Sequence, residues 1–469
     1  MASTQSLKRT PRVVAKPSWH HTPVAPHRRR GHAPLPWVAN TLAGLAVLGF
    51  AAIIAIVITT ESSSALSSPG GWFLAASRLF AFTGTYLMLI MVMLIARLPW
   101  LERTVGQDRL VRWHRTIGGW PIVLIAVHIV TVTLGYAQLT KVGPLSQVWT
   151  FLVHYPDILA AGVAFSLLTI AGVTSFRLAR QKMRYETWWA VHLYIYLALA
   201  LAFAHQIKTG VMFLGHPYTR DFWVALWALA ALAAITSRVV LPVLRNARLQ
   251  LRVADVVEEA PGVYALTVSG RNLANLAVSG GQFFQWRFLT RGLWWHSHPY
   301  SLSALPRPPF LRVTVKGLGD QSSAVAHLEV GTRVFVEGPY GTFTHHARTT
   351  DRVTLVGAGV GITPLRAILE DLPKSVRVTV LIRASTPEDL VHRDEMEALV
   401  KARNGAFHEL VGPRDQVSFD ARALRKLVPH ITQCDVYVCG PSGFTDQVVQ
   451  SAVTLGVPHE QIHHEAFTF

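Results

Sequence analysis

Apolar residues run almost unbroken through stretches of the first half of the chain and alternate with polar ones in the second half. Residues 37–60 and 79–96 carry no charge; 116–140 is interrupted only by His128; 158–176 and 187–207 are bounded by charged residues on both sides. Residues 222–237 form the shortest run, its pattern resumes after Arg238, and Pro242 is expected to mark its end. A helix needs about 20 mostly apolar residues to cross a bilayer, so six transmembrane helices are predicted within residues 37–245. From residue 249 the period falls to two. Residues 249–257, 262–268, 283–288 and 310–316 read as half-buried strands, and strands this close with glycine turns predict a small antiparallel barrel over residues 246–346. Strands at 353–356, 376–382 and 435–438 then alternate with helices starting at Pro364, Glu388 and Phe444, the pattern of an open α/β sheet over residues 347–469. The fold class is therefore multi-domain: a six-helix transmembrane bundle, an antiparallel β-barrel domain and an α/β nucleotide-binding domain.

Charge sharpens this picture. Charged residues make up 15% of the chain, against about 25% in soluble globular proteins. The net charge of +17 would point to nucleic acid if it were spread evenly, but it is not. Residues 1–36 hold Lys8, Arg9, Arg12, Lys16, Arg28, Arg29 and Arg30 with six prolines and no acid, and read as a disordered basic arm, either a solvated tail or an address or lipid contact. The loop after the second run has Arg97, Arg103, Arg109, Arg112 and Arg115, and the loop after the fourth has Arg177, Arg180, Lys182 and Arg184. The alternate loops are poor in Lys and Arg. Positive residues stay on the cytoplasmic side, so a multi-pass protein of the cell membrane with both termini in the cytoplasm is expected, partnered by lipid and not by nucleic acid. The first run is too long for a signal-peptide core and is read as a retained helix. Two cysteines, Cys434 and Cys439, supply neither a disulfide framework nor the four thiolates of an iron–sulfur cluster.

Histidine inside a bilayer is rare and usually functional. His114 and His128 lie 14 residues apart on the third predicted helix, and His192 and His205 lie 13 apart on the fifth. Each pair therefore spans about 20 Å along its helix, with His114 and His192 towards the cytoplasm and His128 and His205 towards the outside. Two imidazoles at each of two depths can fill both axial positions of two haem irons; the other reading is histidines lining polar cavities or capping helix ends. Fourteen residues return an ideal helix to within about 40° of the starting face, whereas thirteen leave it about 140° away. The fifth helix is thus expected to be locally irregular, or to approach the two haems differently.

These pairs, with the His114-Arg115-x-x-Gly118 run, resemble the ferric reductase and NADPH oxidase transmembrane family. The resemblance implies two b-type haems, the inner on His114 and His192 and the outer on His128 and His205. Arg78 resembles the family's outer-cavity arginine, which meets a haem propionate or a reduced oxygen species; an interfacial arginine snorkelling to the headgroups is the alternative. NADPH oxidases usually carry a further histidine one turn after the outer ligand, where this chain has Val132.

The cytoplasmic half adds motifs in the order of the ferredoxin–NADP reductase superfamily. His298-Pro299-Tyr300-Ser301-Leu302-Ser303 resembles its flavin motif, in which an aromatic ring covers the isoalloxazine and hydroxyls meet its edge. Lys316 to Ser323, with Gly319, Ser322 and Ser323, resembles the stretch that cradles the FAD pyrophosphate, and Glu337 to Gly341 the turn closing the flavin barrel. Gly357, Gly359, Gly361, Thr363 and Pro364 form a strand–turn–helix start in which glycines let the backbone approach a pyrophosphate and the helix N-terminus supplies amides. Cys439-Gly440-Pro441 resembles the strand end that faces the nicotinamide, and Phe469 the terminal aromatic that covers the flavin. Arg383, Ser385 and Arg393 follow the second α/β strand with no acid directly behind it, favouring the 2′-phosphate of NADPH, with NADH as the alternative. The expected activity is electron transfer from NAD(P)H through FAD and two haems to an extracytoplasmic small-molecule acceptor: oxygen giving superoxide, or a ferric chelate. A haem- and flavin-bearing membrane sensor without turnover is the rival from a different class. No calcium-loop pattern is present, so no intrinsic calcium switch is expected.

Overall fold

The computed structural model describes residues 19, 36–183, 185–213, 216–414 and 416–467. The expected basic arm, apart from Trp19, lies outside them. The chain divides into two compact units, Pro34–Pro242 and Val243–Phe469, the second also taking in Trp19.

In the first unit six helices are long and apolar enough to cross a membrane. They begin with Pro36–Thr60 and Gly71–Ile95. The third is built from Gln107–Ile117 and Trp120–Thr140. Pro156–Ser175 and Tyr185–Thr209 follow, and the sixth starts at Pro217. Leu48, Trp72, Trp149, Leu232 and many other large apolar side chains point outward. A surface that apolar needs lipid around it. Two departures from regularity have sequence causes. The third span breaks at Gly118–Gly119, because Pro121 has no amide to give to the carbonyl of Ile117 and two glycines tolerate the turn. The expected irregularity therefore falls in the third span, while the fifth is an unbroken α-helix. Pro242 does not end the sixth span. A wider π turn over Thr236–Val240 precedes it and the helix continues over Leu241–Leu249. The wide turn accommodates the proline ring and its missing donor. Arg238 donates from Nε and Nη2 to the carbonyl of Ile95 (3.0 and 2.7 Å), tying the sixth span to an orphan carbonyl at the end of the second.

The second unit opens with antiparallel strands β1 (Arg252–Ala260), β2 (Val263–Ser269), β3 (Phe283–Phe288), β4 (His298–Ser301), β5 (Phe310–Lys316) and β6 (Val334–Tyr340). They form two three-stranded sheets, β1-β2-β5 and β4-β3-β6. Single bridges at Arg252–Arg333 and Leu302–Val313 join the sheets at both edges. Inward residues at every second position, such as Phe284, Trp286 and Phe288, make their core. The parallel part has β7 (Arg352–Ala358), β8 (Arg377–Ala384), β9 (Ala406–Val411), β10 (Asp435–Pro441) and β11 (Ile462–Phe467), in the order β11-β10-β7-β8-β9. The chain leaves β7 towards β8 on one side and later returns to β10 on the other. The carboxyl ends of β7 and β10 therefore flank the crevice where open α/β sheets bind ligands.

Candidate functional site

Within the membrane unit the four histidines fall into the two expected pairs. The rings of His114 and His192 stand 6.3 Å apart, centroid to centroid. A metal held between two imidazoles at about 2 Å from each nitrogen sets the ring centroids roughly 6 Å apart, so this gap fits a bis-histidine iron. His128 and His205 face one cavity of about 550 Å³, also lined by Ser77, Arg78, Val132 and Gln206. Every one of the four Nδ1 atoms has a partner: Met91 O for His114 (3.3 Å), Ser77 O for His128 (2.9 Å), Ser175 Oγ for His192 (3.3 Å) and Thr209 Oγ1 for His205 (3.2 Å). Among the described residues no hydrogen bond goes to an Nε2 of the four. This is the ring orientation of a metal-ligating histidine, with one nitrogen anchored and the other presented. Trp188 stacks on His192 at 5.2 Å and donates to Ser175 Oγ (3.1 Å), fixing the ring from a second side.

Arg78 lines the cavity that His128 and His205 face, but it does not stand alone. Its guanidinium pairs with Glu61 through two hydrogen bonds, Nη2 to Oε2 at 2.6 Å and Nε to Oε1. Glu61 was not read from the sequence; an acid directly after an apolar run, 17 residues from an interfacial arginine, was the available signal.

In the reductase unit the flavin motif lies on β4. His298 and Tyr300 stack at 5.6 Å with rings 11° from parallel. The Nε2 of His298 and the hydroxyl of Tyr300 are buried with no hydrogen-bond partner among the described residues. Orphaned buried polar atoms are rare without a reason, and here they sit where a flavin ring would supply partners. Burial pushes the His298 imidazole down and the Tyr300 phenol up, so both act as neutral groups. Pro299 and Ser301 belong to the same strand, and Ser301 is buried. Ser303, expected at the flavin edge, is fully buried and accepts from Arg312 Nε (3.0 Å); its hydroxyl serves an internal network. Lys316 is exposed at the end of β5. Beyond it the hydroxyl of Ser322 accepts from the amides of Leu318 (2.9 Å) and Gly319 (3.1 Å), which shapes the loop that Ser323 closes.

The nucleotide turn and the β10 end meet. A Cβ on Gly361 would lie 2.3 Å from the carbonyl oxygen of Cys439 and 2.7 Å from Cα of Gly440, so only glycine allows the approach. Gly359 is left-handed at φ +54 with open space around it, and Gly357 packs against Leu365 and Ile362. Thr363 and Pro364 stand in the first turn of the helix Ile362–Asp371, and Thr363 Oγ1 is a further buried oxygen without a partner among the described residues. Cys439 is fully buried, and burial with the nearby Glu465 carboxylate drives its thiol well above the usual range. It is therefore a neutral wall of the site and not a nucleophile. Pro441 closes β10.

At the end of β8, Arg383 donates to Ser385 Oγ (3.3 Å) and to Gly412 O (3.0 Å). The Arg414 guanidinium lies close enough for its charge, after burial, to pull Arg383 down. Arg393 instead pairs with Asp394, Glu397 and Glu409; three carboxylates leave it little to offer a phosphate. Arg414, like Glu61, was not singled out from the sequence. Phe469 lies outside the described residues. A separate group, His345, His346 and Asp371, has ligand-type atoms within 4.8 Å of one another.

Comparison with known proteins agrees with this division. Residues 80–203 match the family described as ferric reductase like transmembrane component, and residues 355–450 the oxidoreductase NAD-binding domain. A flavohemoprotein of Vibrio cholerae serotype O1 is 34% identical over 182 residues, 36% of this chain and 45% of that protein. The ferredoxin reductase component of 3-ketosteroid-9-alpha-monooxygenase from Mycobacterium tuberculosis is 29% identical over 236 residues, 47% of this chain and 65% of its own. The chain thus spans about half to two-thirds of the curated relatives it matches. Among solved structures, the FAD/NAD-binding domain of a Vibrio cholerae nitric oxide dioxygenase aligns over 46% of this chain and 98% of that one, with 25% identity and a TM-score of 0.39.

Proposed function

We propose that this chain, a ferric-reductase-like transmembrane domain joined to an FAD- and NAD(P)-binding oxidoreductase domain, carries electrons from cytosolic NADPH across the membrane to oxygen. The observation that carries the reading is the set of four intramembrane histidines, each anchored at Nδ1 and presenting Nε2. FAD and two b-type haems, when bound, supply the conversion of a hydride into single electrons and the relay across the bilayer. The protein's own residues position and tune. His114 with His192, and His128 with His205, would hold the irons. Tyr300 and His298 would pack against and hydrogen-bond the flavin as neutral groups. Gly359 and Gly361 would let backbone amides reach the NADPH pyrophosphate, and Arg383 with Ser385 and Arg414 would receive its 2′-phosphate. No protein nucleophile is required. The overall reaction, NADPH and two O₂ giving NADP⁺, H⁺ and two superoxide ions, balances in electrons and charge, and an inside-negative potential assists it by about 2.3 kcal/mol per charge per 100 mV. Both termini would lie in the cytoplasm.

A ferric-chelate reductase is the second reading. It is favoured by the Arg78–Glu61 pair, which neutralises the cation otherwise available to superoxide, and by apolar Val132 on the cavity wall. Two measurements test the proposal. The pyridine haemochrome of the purified protein is expected to give two haems per chain, and one after His128→Ala or His114→Ala; two haems in either variant would contradict the ligand assignment. Turnover with oxygen is expected to give two superoxide ions per NADPH, whereas slow reaction with oxygen and fast reaction with ferric citrate would select the metalloreductase.

A further inference from the structure

The antiparallel and α/β halves of the reductase unit meet over a buried charge network. Arg312 of β5 donates to both oxygens of Glu395 (2.7 and 2.8 Å). Arg366 reaches Glu395 (2.7 Å) and Glu370, and Arg307 reaches Glu370 (2.8 Å). Arg312 and Arg366 thus share Glu395, and Arg366 and Arg307 share Glu370, where water is largely excluded, and the Glu259 carboxylate also acts on Arg312. His392 lies 3.9 Å from Glu395, and Glu259 is 3.7 Å from His392 at the periphery.

Trp19, from the segment ahead of the first span, sits on this network. Its ring lies 5.1 Å from the guanidinium carbon of Arg307 and 4.8 Å from that of Arg312. Its carbonyl oxygen accepts from Nη2 of Arg307 (3.4 Å) and Nη2 of Arg366 (3.3 Å). An aromatic face and a carbonyl are both negative to an approaching cation, and cation–π contacts gain strength as the cation loses water. Trp19 therefore adds negative potential beside the guanidinium groups without adding a formal charge. It touches Arg307 and Arg312 of the antiparallel half and Arg366 of the α/β half at once.

We propose that Trp19 docks in cis on this seam and straps together the two halves between which the flavin and nicotinamide must meet. The strap does not depend on which acceptor the protein serves or on how many haems it holds.

The test uses the full-length, cofactor-loaded protein in lipid nanodiscs with Trp19→p-benzoylphenylalanine. Irradiation is expected to give cross-links within one chain to residues 303–312 and 366–370. Cross-links between copies, or scattered over other surfaces, would overturn docking in cis. A second measurement follows hydrogen exchange at the amide of Leu305, which donates to Glu370 at 2.9 Å. Trp19→Ala should speed it about tenfold, while Trp19→Phe, which keeps an aromatic face over the arginines, should stay within about threefold of the parent. Equal exchange in all three chains would show that Trp19 does not strap the seam.

Discussion

Glu395 is 5% exposed and holds two arginines, one of them fully buried. Burial alone would raise its pKa; the hydrogen bond from Arg312 and the charges of Arg366, Arg312 and His392 outweigh that and bring it down to about 2. A carboxylate depressed in the folded state stabilises it above the unfolded pKa near 4.5, and that contribution is lost as pH falls from about 4.5 towards 2. Acid unfolding of the reductase unit, followed by flavin release, is therefore expected to steepen in that window. Glu395→Gln should cost about 3–5 kcal/mol by leaving buried guanidinium charge unpaired, and should flatten the acid limb. A change under about 1 kcal/mol in flavin-release melting would refute this role. Arg383 and Arg393 separate in the same way. Arg383→Ala should raise the KM for NADPH about 10- to 100-fold and leave NADH within about twofold, because a charged hydrogen bond to a phosphate is lost. Arg393→Ala, which breaks only exposed ion pairs, should stay within about threefold for both.

At the scale of elements, the turn after β7 depends on Gly361. Gly361→Ala places a methyl 2.3 Å from the carbonyl of Cys439. FAD content is expected to hold while flavin reduction by NADPH slows at least about tenfold, a stopped-flow measurement; unchanged reduction would mean that β10 and the turn can separate at little cost. This turn was legible in the sequence because its chemistry is local: glycines, a strand before and a helix start after. Strands at residues 283–288 and 310–316 were legible because apolar and polar residues alternate from Phe284 and from Leu311. Strands β9 and β11 were not, since Phe407, His408 and Glu409, or His463, His464 and Glu465, show no alternation and gain their place from pairing with β8 and β10. The histidine pairs were readable from rarity and spacing. Their anchors Ser77, Met91, Ser175 and Thr209 were not, because ordinary residues acquire that role only through the packing of helices. The same holds for Glu61, Arg414 and, Arg366–Glu370 aside, the arginine network, whose partners lie far apart in the chain. Proline geometry also misled locally: Pro242 reads as a stop, yet the preceding π turn absorbs it.

At the scale of the whole molecule, the division into an apolar unit and a nucleotide-binding unit assigns the tasks. The first offers four presented imidazoles, two of them facing a cavity. The second offers buried polar atoms on β4 without partners among the described residues and a glycine turn ahead of the helix Ile362–Asp371. The measurement that tests this account most directly uses proteoliposomes with the reductase unit outward, ferricyanide trapped inside and oxygen removed. Adding NADPH outside should reduce the haem absorbance bands and consume two trapped ferricyanide ions for each NADPH oxidised. Oxidation of NADPH with the trapped ferricyanide untouched, or with the haem bands unmoved, would contradict transmembrane electron transfer by this chain.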